Sequence, residues 1–154
     1  RIALVGDLQG GARVDARGQA QTHHGDAQRA VAQGLHRRGT PARHTLQGGG
    51  DTDVFLFTTA SDMGTGRAQD MILDFVHQVD ILHLRGIDAD VFAAGNQEFD
   101  FIGRQSFSGA AGELRFERSG SRTLIQMDTD GDGFVDMAIT IDRRVGLTAG
   151  DFIL

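Results

Sequence analysis

The stretch TLIQMDTDGDGFVDMAITI, residues 123–141, decides the fold, because apolar and polar residues alternate on both sides of an acidic, glycine-containing turn. Before the turn, Ile125 and Met127 occupy the apolar positions. After it, the apolar positions are Val135, Met137, Ile139 and Ile141. Alternation with a period of two is typical of strands that bury one face. The stretch therefore predicts a β-hairpin with one apolar side on the core and with Ala138 and Thr140 on the opposite side.

The tip of this hairpin concentrates carboxylates. Two like charges about 4 Å apart repel by roughly 4 kcal/mol at an effective dielectric constant near 20, and a hard cation removes that cost. Calcium suits such a cluster because it accepts about six to eight oxygen ligands in flexible geometry. The predicted ligands are Asp128, Asp130, Asp132 and Asp136, with a backbone carbonyl at Phe134 aimed inward by the turn at Gly133. The alternative is an acidic hairpin turn that binds no ion.

The spacing of these aspartates differs from that of an EF-hand. The twelfth position counted from Asp128 is Ile139, where an EF-hand has a bidentate glutamate. The pattern DxDxDGxxD instead resembles the calcium hairpins of integrin-type propellers. That resemblance implies calcium ligation by a loop between two strands.

Length and composition restrict the class of protein. A chain of 154 residues predicts one ordinary domain. A net charge of −6 argues against nucleic acids and anionic membranes as partners. The 22 glycines and ten phenylalanines, without tryptophan or tyrosine, favour a turn-rich β protein. The absence of cysteine excludes disulfides and thiolate metal sites.

Neither membrane spans nor targeting segments are evident. No apolar run reaches the length of a transmembrane helix, and the amino end lacks the charged-then-apolar pattern of a signal peptide. The chain begins at Arg1 rather than methionine, so it is expected to be a fragment.

A glycine-rich turn precedes a buried strand at residues 46–57, LQGGGDTDVFLF. It resembles the last copy of the nonapeptide GGxGxDxUx, whose repeats form a calcium-binding parallel β-roll. Gly48, Gly49 and Asp53 match the pattern, whereas Asp51 stands in the place of a glycine. The resemblance implies that Asp51 and Asp53 bind metal at the end of a β-roll. The alternative is a plain turn before a core strand.

Residues 70–89, DMILDFVHQVDILHLRGIDA, are similar to the DxIxDFxxGxDxIDLSxIDA pattern that follows the β-roll in serralysin-type metalloproteases and related secreted proteins. Gln78 and His83 depart from that pattern, where glycine and aspartate are usual. The resemblance adds Asp70 and Asp74 to the metal ligands at the β-roll end. For Asp80 and Asp88, exposed aspartates beside core strands are favoured over ligation.

The last part of the chain continues the same resemblance. Its strands are predicted to bury Phe99, Phe101, Phe107, Leu114 and Phe116. The terminal residues Asp151, Phe152, Ile153 and Leu154 resemble the uncleaved signal read by type I secretion exporters. The alternative is a terminal strand packed against the core, and both interpretations are compatible.

Together these resemblances cover residues 46–154 and imply a mainly β fold, in which a short β-roll remnant leads into a β-sandwich-like C-terminal domain. Residues 1–45 are expected to be a poorly defined segment or linker, with a short strand at residues 2–5 and one short helix between Asp26 and Leu35. The four histidines in that segment lack metal-ligand spacing and are predicted to be surface residues: His23, His24, His36 and His44.

The implied function is that of a non-catalytic, calcium-binding C-terminal domain of a bacterial protein secreted to the extracellular space by a type I system, in which calcium binding is coupled to folding after export. The chain contains neither HExxH nor GxSxG, so it is not expected to be an enzyme. The expected partners are the exporter and an upstream domain of the parent protein, without nucleic-acid binding or membrane insertion. The alternatives are an accessory domain of a secreted metalloprotease, other hydrolase or epimerase, and an extracellular adhesion module.

Overall fold

The computed structural model describes residues 2–5, 43–60 and 63–154, whose regular secondary structure is almost entirely β-strand. In chain order the strands are β1 (Ile2–Val5), β2 (Thr45–Leu46), β3 (Val54–Phe57), β4 (Asp70–Ile72), β5 (Ile81–His83), β6 (Asp100–Gly103), β7 (Glu113–Ser119), β8 (Arg122–Asp128), β9 (Met137–Ile141) and β10 (Phe152–Ile153). Short 3₁₀ turns occupy Gly66–Ala68 and Ala149–Asp151. The predicted mainly β fold is confirmed. The helix predicted between Asp26 and Leu35, and the histidines at 23, 24 and 36, lie outside the described residues.

The strands form two sheets, and the chain alternates between them from β2 to β5. One sheet has the order β1-β3-β5-β10 with parallel pairing throughout. The other has the order β2-β4-β9-β8-β7-β6, in which β2 pairs with β4 in parallel. A chain that places successive strands alternately in two parallel sheets winds as a β-roll. The predicted β-roll remnant is therefore present, and β1 adds to its first sheet beside β3.

A buried carboxylate links two neighbouring turns of this β-roll. Asp80 is 1% exposed, and its two oxygens accept hydrogen bonds from the backbone amides of Asp53 at 3.0 Å and Val76 at 2.7 Å. Burial raises the pKa of Asp80 above its ordinary value, although these two hydrogen bonds act in the opposite direction. The expectation that Asp80 is exposed is wrong, because its carboxylate satisfies backbone donors that the turn leaves without strand partners.

The predicted hairpin is formed by β8 and β9. These strands pair in antiparallel register from Thr123↔Ile141 to Met127↔Met137, and residues 129–136 form the connecting loop. On its other side, β9 pairs in parallel with β4, placing Asp70 opposite Ile139. The hairpin is thus continuous with the β-roll sheet and extends it.

Strand β9 is buried on both faces, in contrast to the predicted one-sided hairpin. Ala138 and Thr140 are 4% and 2% exposed. The backbone amide of Ala138 donates to the carbonyl of Gly64 at 3.3 Å, which brings the connection before β4 alongside β9.

The core lies between the two sheets. Its largest fully buried side chains are Phe55, Phe57, Phe75, Leu46, Ile72, Leu82, Leu84, Ile87, Leu114, Ile125, Met127 and Ile139. Phe99 and Phe116 are buried as predicted, and Phe101 packs against the core. Phe107 departs from the prediction: it is partly exposed, and its ring lies 5.4 Å from the Arg115 guanidinium. That cation–π contact explains why a large aromatic ring is retained outside the core.

The carboxyl end is folded into the first sheet. Strand β10 pairs in parallel with β5, and the carbonyl of Ile153 accepts a hydrogen bond from the Leu84 amide at 2.8 Å. Phe152 is 8% exposed, with its ring centroid 5.0 Å from that of Phe101. The last residues therefore form a terminal strand against the core.

Asp151 holds this terminal strand in place. It is fully buried, and its oxygens accept hydrogen bonds from the backbone amides of Gln78 at 2.9 Å and Thr148 at 2.7 Å. The Nδ1 atom of His77 lies 2.8 Å from Oδ1 of Asp151. Burial by itself raises the pKa of Asp151, but these hydrogen bonds outweigh burial and lower the pKa below its ordinary value.

We predict that Asp151→Asn destabilises the domain by about 2 kcal/mol at pH 7, since hydrogen bonds to a buried charged acceptor are lost. Because the folded-state pKa is lowered, this contribution is present above the unfolded pKa near 3.9 and disappears as the pH falls through the folded value. Urea unfolding of both proteins at pH 7 and near pH 3 measures it. Asp142→Asn, at an exposed residue, is the control. If wild type and Asp151→Asn differed by the same unfolding free energy at both pH values, the stabilising role of the ionised Asp151 carboxylate would be contradicted.

Candidate metal centre

Three of the four predicted aspartates at the hairpin tip are brought together. Each of Asp128, Asp130 and Asp136 offers a carboxylate oxygen, and these oxygens lie within 4.8 Å of one another. Asp128 comes from the end of β8, and the other two lie in the loop that leads to β9. The antiparallel register of β8 and β9 brings both ends of the loop close enough for their carboxylates to meet.

Asp128 is the anchor of the loop. It is fully buried, and its Oδ1 and Oδ2 atoms accept hydrogen bonds from the backbone amides of Gly131 at 2.7 Å and Gly133 at 2.8 Å. Both glycines have positive φ values, 72° and 83°. Glycine adopts this left-handed conformation at little cost, and the resulting turn points two amides at one carboxylate.

Asp136 is oriented by a residue that sequence reasoning missed. Its Oδ2 atom accepts hydrogen bonds from the Thr129 backbone amide and from the Thr129 hydroxyl, both at 2.7 Å. The amide of Asp136 donates to the Met127 carbonyl at 2.9 Å. A hydroxyl residue directly after the first aspartate was the available signal, because such residues bond to nearby loop groups.

A second loop packs tightly against the tip. A Cβ atom built on Gly131 would lie 2.8 Å from the backbone nitrogen of Ala111 and 3.1 Å from the carbonyl oxygen of Gly109. Contacts this short leave no room for a side chain. The loop around residues 109–111 therefore supports the turn of the acidic loop from outside.

The electrostatics of the tip favour a cation. The Asp132 amide donates to Asp130 at 3.1 Å and by itself lowers the pKa of Asp130. Desolvation and the carboxylates of Asp136, Asp132 and Asp128 act in the opposite direction and leave the pKa of Asp130 above its ordinary value. A bound cation would relieve the repulsion that raises it.

Asp132 and Phe134 lie beside this group. Asp132 is exposed, and its Oδ1 atom accepts the Phe134 backbone amide at 2.8 Å. The Phe134 side chain is 73% exposed. Metal ligation by the Asp132 carboxylate and by the Phe134 carbonyl stays a prediction.

The aspartates predicted at the β-roll end act mainly on backbone amides. Asp74 accepts hydrogen bonds from the amides of Gly48 at 2.9 Å and Gly49 at 2.8 Å. Asp53 is fully buried, and Asp51 is exposed. Within the described part of the chain, the hairpin aspartates are the only group of three or more candidate ligands that are close enough to share an ion. A metal site formed by the β-roll aspartates stays a prediction.

Asp70 is also buried, and its contact partner corrects an expectation. Its Oδ1 atom accepts the His44 backbone amide at 2.8 Å and lies 3.0 Å from His44 Nδ1. His44 was predicted to be a surface histidine, but it is 8% exposed. The physical reason is its place directly before β2, which pairs with β4 and so draws His44 towards Asp70.

The donor set fits a hard divalent cation. All three grouped ligands are carboxylates, and calcium prefers oxygen ligands in flexible numbers. A carboxylate oxygen has two lone pairs, so a hydrogen bond from a backbone amide leaves capacity for a metal contact. The hydrogen bonds at Asp128 and Asp136 therefore orient these ligands while leaving them able to bind.

An open cavity of about 460 Å³ adjoins the tip. Its acidic lining is Asp88, Asp130 and Asp136, and its apolar lining includes Met63, Val91 and Met137. Asp88 is half-buried rather than exposed, and its Oδ1 atom accepts the amides of Asp90 and Gln97, each at 3.2 Å. The acidic group is thus accessible from this side.

Comparison with known proteins identifies the family. The family model described as "Peptidase M10 serralysin C terminal" matches residues 5–154, which includes most of the segment predicted to be a linker. The predicted boundary at residues 45 and 46 falls inside β2. A comparison with curated proteins found no match. Among residues 2–5, 43–60 and 63–154, no helix is long and apolar enough to span a bilayer.

One solved structure that matches part of this chain is a subunit of the mannuronan C5-epimerase of Azotobacter vinelandii, determined in solution. It shares 22% sequence identity with this chain, with a TM-score of 0.46. The match covers 73% of this chain and 58% of that one, so the chain spans little more than half the length of this relative.

We predict that Gly131→Ala lowers the free energy of unfolding by about 2 kcal/mol, because it adds a steric clash to an unfavourable positive φ. Gly120→Ala is the matched control, since Gly120 has a φ of 62° and open space around its Cβ position. Urea unfolding of both variants separates the clash from the backbone strain. Equal losses would show that the loop at residues 109–111 does not support the tip.

Proposed function

Because the chain belongs to the serralysin C-terminal family of M10 peptidases, we propose that it is a non-catalytic calcium-binding domain of a secreted bacterial protein whose calcium site is coupled to folding after type I export. The observation that carries this proposal is the group of carboxylates at Asp128, Asp130 and Asp136. Catalysis by the parent protein then belongs to an upstream domain. The domain would act in the extracellular space.

The coupling follows from mass action. A ligand that binds only the folded state stabilises it by RT ln(1 + [L]/Kd), which is about 2.7 kcal/mol when free ligand is a hundred times Kd. That is a large share of the roughly 5–15 kcal/mol that stabilises a typical domain. Extracellular calcium modules have Kd values of about 10⁻⁴ to 10⁻³ M, so such a site is empty in the cytosol and filled outside the cell.

The residues of the tip supply the physical basis of this switch. Without a cation, the carboxylates of Asp128, Asp130 and Asp136 repel one another where the loop must close. Bound calcium would supply positive charge and several oxygen-coordination positions. Thr129, Gly131 and Gly133 hold the ligands in place, so part of the ordering is already achieved by the chain itself.

The carboxyl end is proposed to be the exporter signal. Asp151 and Phe152 are buried in the folded domain, where they contact His77 and Phe101. An exporter that reads these side chains therefore needs the domain unfolded. Low cytosolic calcium favours that state, and calcium outside the cell favours the folded state in which the terminal strand is sequestered.

We predict that Asp130→Ala combined with Asp132→Ala lowers the thermal midpoint in millimolar calcium and makes it insensitive to chelator. The expected loss is about 2 to 3 kcal/mol if the site is saturated. Glu98→Ala combined with Asp100→Ala removes the same charge from two exposed positions and serves as the control. Identical melting of wild type and the tip variant, with and without calcium, would show that the tip is an ordinary acidic turn.

Fusing residues 46–154 behind a passenger is expected to direct its export through a type I system, and removing the last four residues is expected to abolish it. The amount of passenger in the medium and in the cells is the measurement. A passenger that carries only the last four residues, without the rest of the domain, tests whether these residues suffice for export. Equal export of intact and truncated fusions would exclude the terminal signal.

A further inference from the structure

Six large apolar side chains of the described residues are exposed, and three of them are much more exposed than the others. The three most exposed large ones are Phe92 at 80%, Phe134 at 73% and Val91 at 57%. The others, Val76, Val79 and Ile153, are at most 41% exposed. Large apolar residues exposed together commonly mark interaction surfaces.

These three residues belong to two neighbouring loops. The amide of Val91 donates to the carbonyl of Thr129 at 3.2 Å, which ties the loop before β6 to the acidic hairpin loop. Val91 also lines the cavity that Asp130 and Asp136 share. We name Val91, Phe92 and Phe134 the tip surface.

The loop that carries Phe92 is held in an ordered conformation. Asp90 Oδ1 accepts the amides of Phe92 at 2.9 Å and Ala93 at 3.3 Å. The Asn96 side chain donates to the Arg85 carbonyl at 2.8 Å, and the Gln97 side chain donates to the Ala94 carbonyl at 3.0 Å. Apolar side chains on a hydrogen-bonded loop lose less entropy when they bind than those on a disordered segment.

The two loops of the tip surface carry acidic side chains, and the basic residue next to them in the chain is Arg85, directly before the first loop. Residues 86–98 contain three acidic residues and residues 126–137 contain four, and neither range contains lysine, arginine or histidine. An anionic lipid surface would be repelled by such a rim, whereas a basic partner would be attracted to it. Arginine is especially suited, because its guanidinium both pairs with carboxylates and stacks on aromatic rings.

We propose that the tip surface docks a basic protein segment that carries lysine or arginine beside apolar side chains. The apolar side chains would pack against Phe92, Phe134 and Val91. The basic side chains would pair with the surrounding carboxylates, of which Asp90 and Asp132 are in the two loops. The contact is independent of the exporter signal, which lies on β10.

The test uses the intact chain and a synthetic amphipathic peptide of leucine and lysine, with binding measured by fluorescence anisotropy in low salt and millimolar calcium. Val91→Ser combined with Phe92→Ser is expected to weaken binding about tenfold or more, as for the loss of a buried anchor. Val76→Ser combined with Val79→Ser removes exposed apolar side chains elsewhere and is expected to leave binding unchanged. Equal weakening by both double variants, or by neither, overturns the proposal.

The charge requirement is tested separately. Asp90→Asn keeps the Oδ1 acceptor for the Phe92 and Ala93 amides while removing the charge, and is expected to weaken binding about two- to threefold. Asp142→Asn, at an exposed residue beside Arg122, is the matched control. A peptide with glutamate in place of lysine is expected not to bind, and its binding with equal affinity would contradict the proposed partner.

The same series of experiments distinguishes other molecules that could bind the tip surface. Phospholipid vesicles, neutral or anionic, and concentration-dependent sedimentation of the chain alone are compared between wild type and the Val91→Ser, Phe92→Ser variant. The proposal would be overturned if wild type did not bind the peptide but bound vesicles or itself, and if the variant lost that binding. The surface would then belong to a membrane contact or to a second copy of the chain. Unchanged circular dichroism verifies that the variants are folded.

One further arm rests on the proposed calcium site. Removing calcium with a chelator is expected to weaken peptide binding, because the proposed site at Asp128, Asp130 and Asp136 stabilises the folded state in which the loops of the tip surface are assembled. Asp130→Ala combined with Asp132→Ala is expected to remove this calcium effect. Peptide binding that depends on Phe92 but ignores calcium would contradict the calcium site while supporting the docking surface.

Discussion

Aspartates that accept backbone amide hydrogen bonds hold the turns of this domain in place. The β-roll turns depend on Asp74 and Asp80, the hairpin loop on Asp128, and the terminal strand on Asp151. A turn leaves amides without strand partners, and a charged acceptor satisfies them more strongly than a neutral one. Short strands with little surface of their own can therefore pack into two sheets.

The same hydrogen bonding between carboxylates and backbone amides explains why the hairpin tip is suited to a cation. A carboxylate that is already oriented by two amides retains lone pairs for a metal contact, so part of the ordering that metal binding needs is already in place. At the β-roll end, Asp70 and Asp74 are also engaged by amides, but their carboxylates do not form a compact group among the described residues. The hairpin tip and the β-roll end therefore differ in how close together their carboxylates lie, rather than in how many carboxylates they contain.

Folding has different consequences for the carboxyl end and for the hairpin tip. The carboxyl end is closed by Asp151 and β10, so folding conceals the side chains that are proposed to direct export. The hairpin end stays open, with acidic and apolar side chains exposed around Phe92 and Phe134. Folding thus buries one potential recognition element while it assembles another.

Local pattern and motif spacing determined much of this protein from the sequence alone. Alternation around Ile125 and Ile139 predicted the hairpin, and the glycine- and aspartate-rich motifs predicted a β-roll that leads into a sandwich, because both features depend on residues close together in the chain. What the sequence did not reveal involves contacts over long separations. The burial of Ala138, on the face that alternation assigned to solvent, is one such case. The buried setting of Asp80 and the clasp between His77 and Asp151 arise from turns that the winding of the chain brings together. Only the tertiary structure decided these positions, since pairing between β4 and β9 and between β5 and β10 leaves no periodic trace in the sequence.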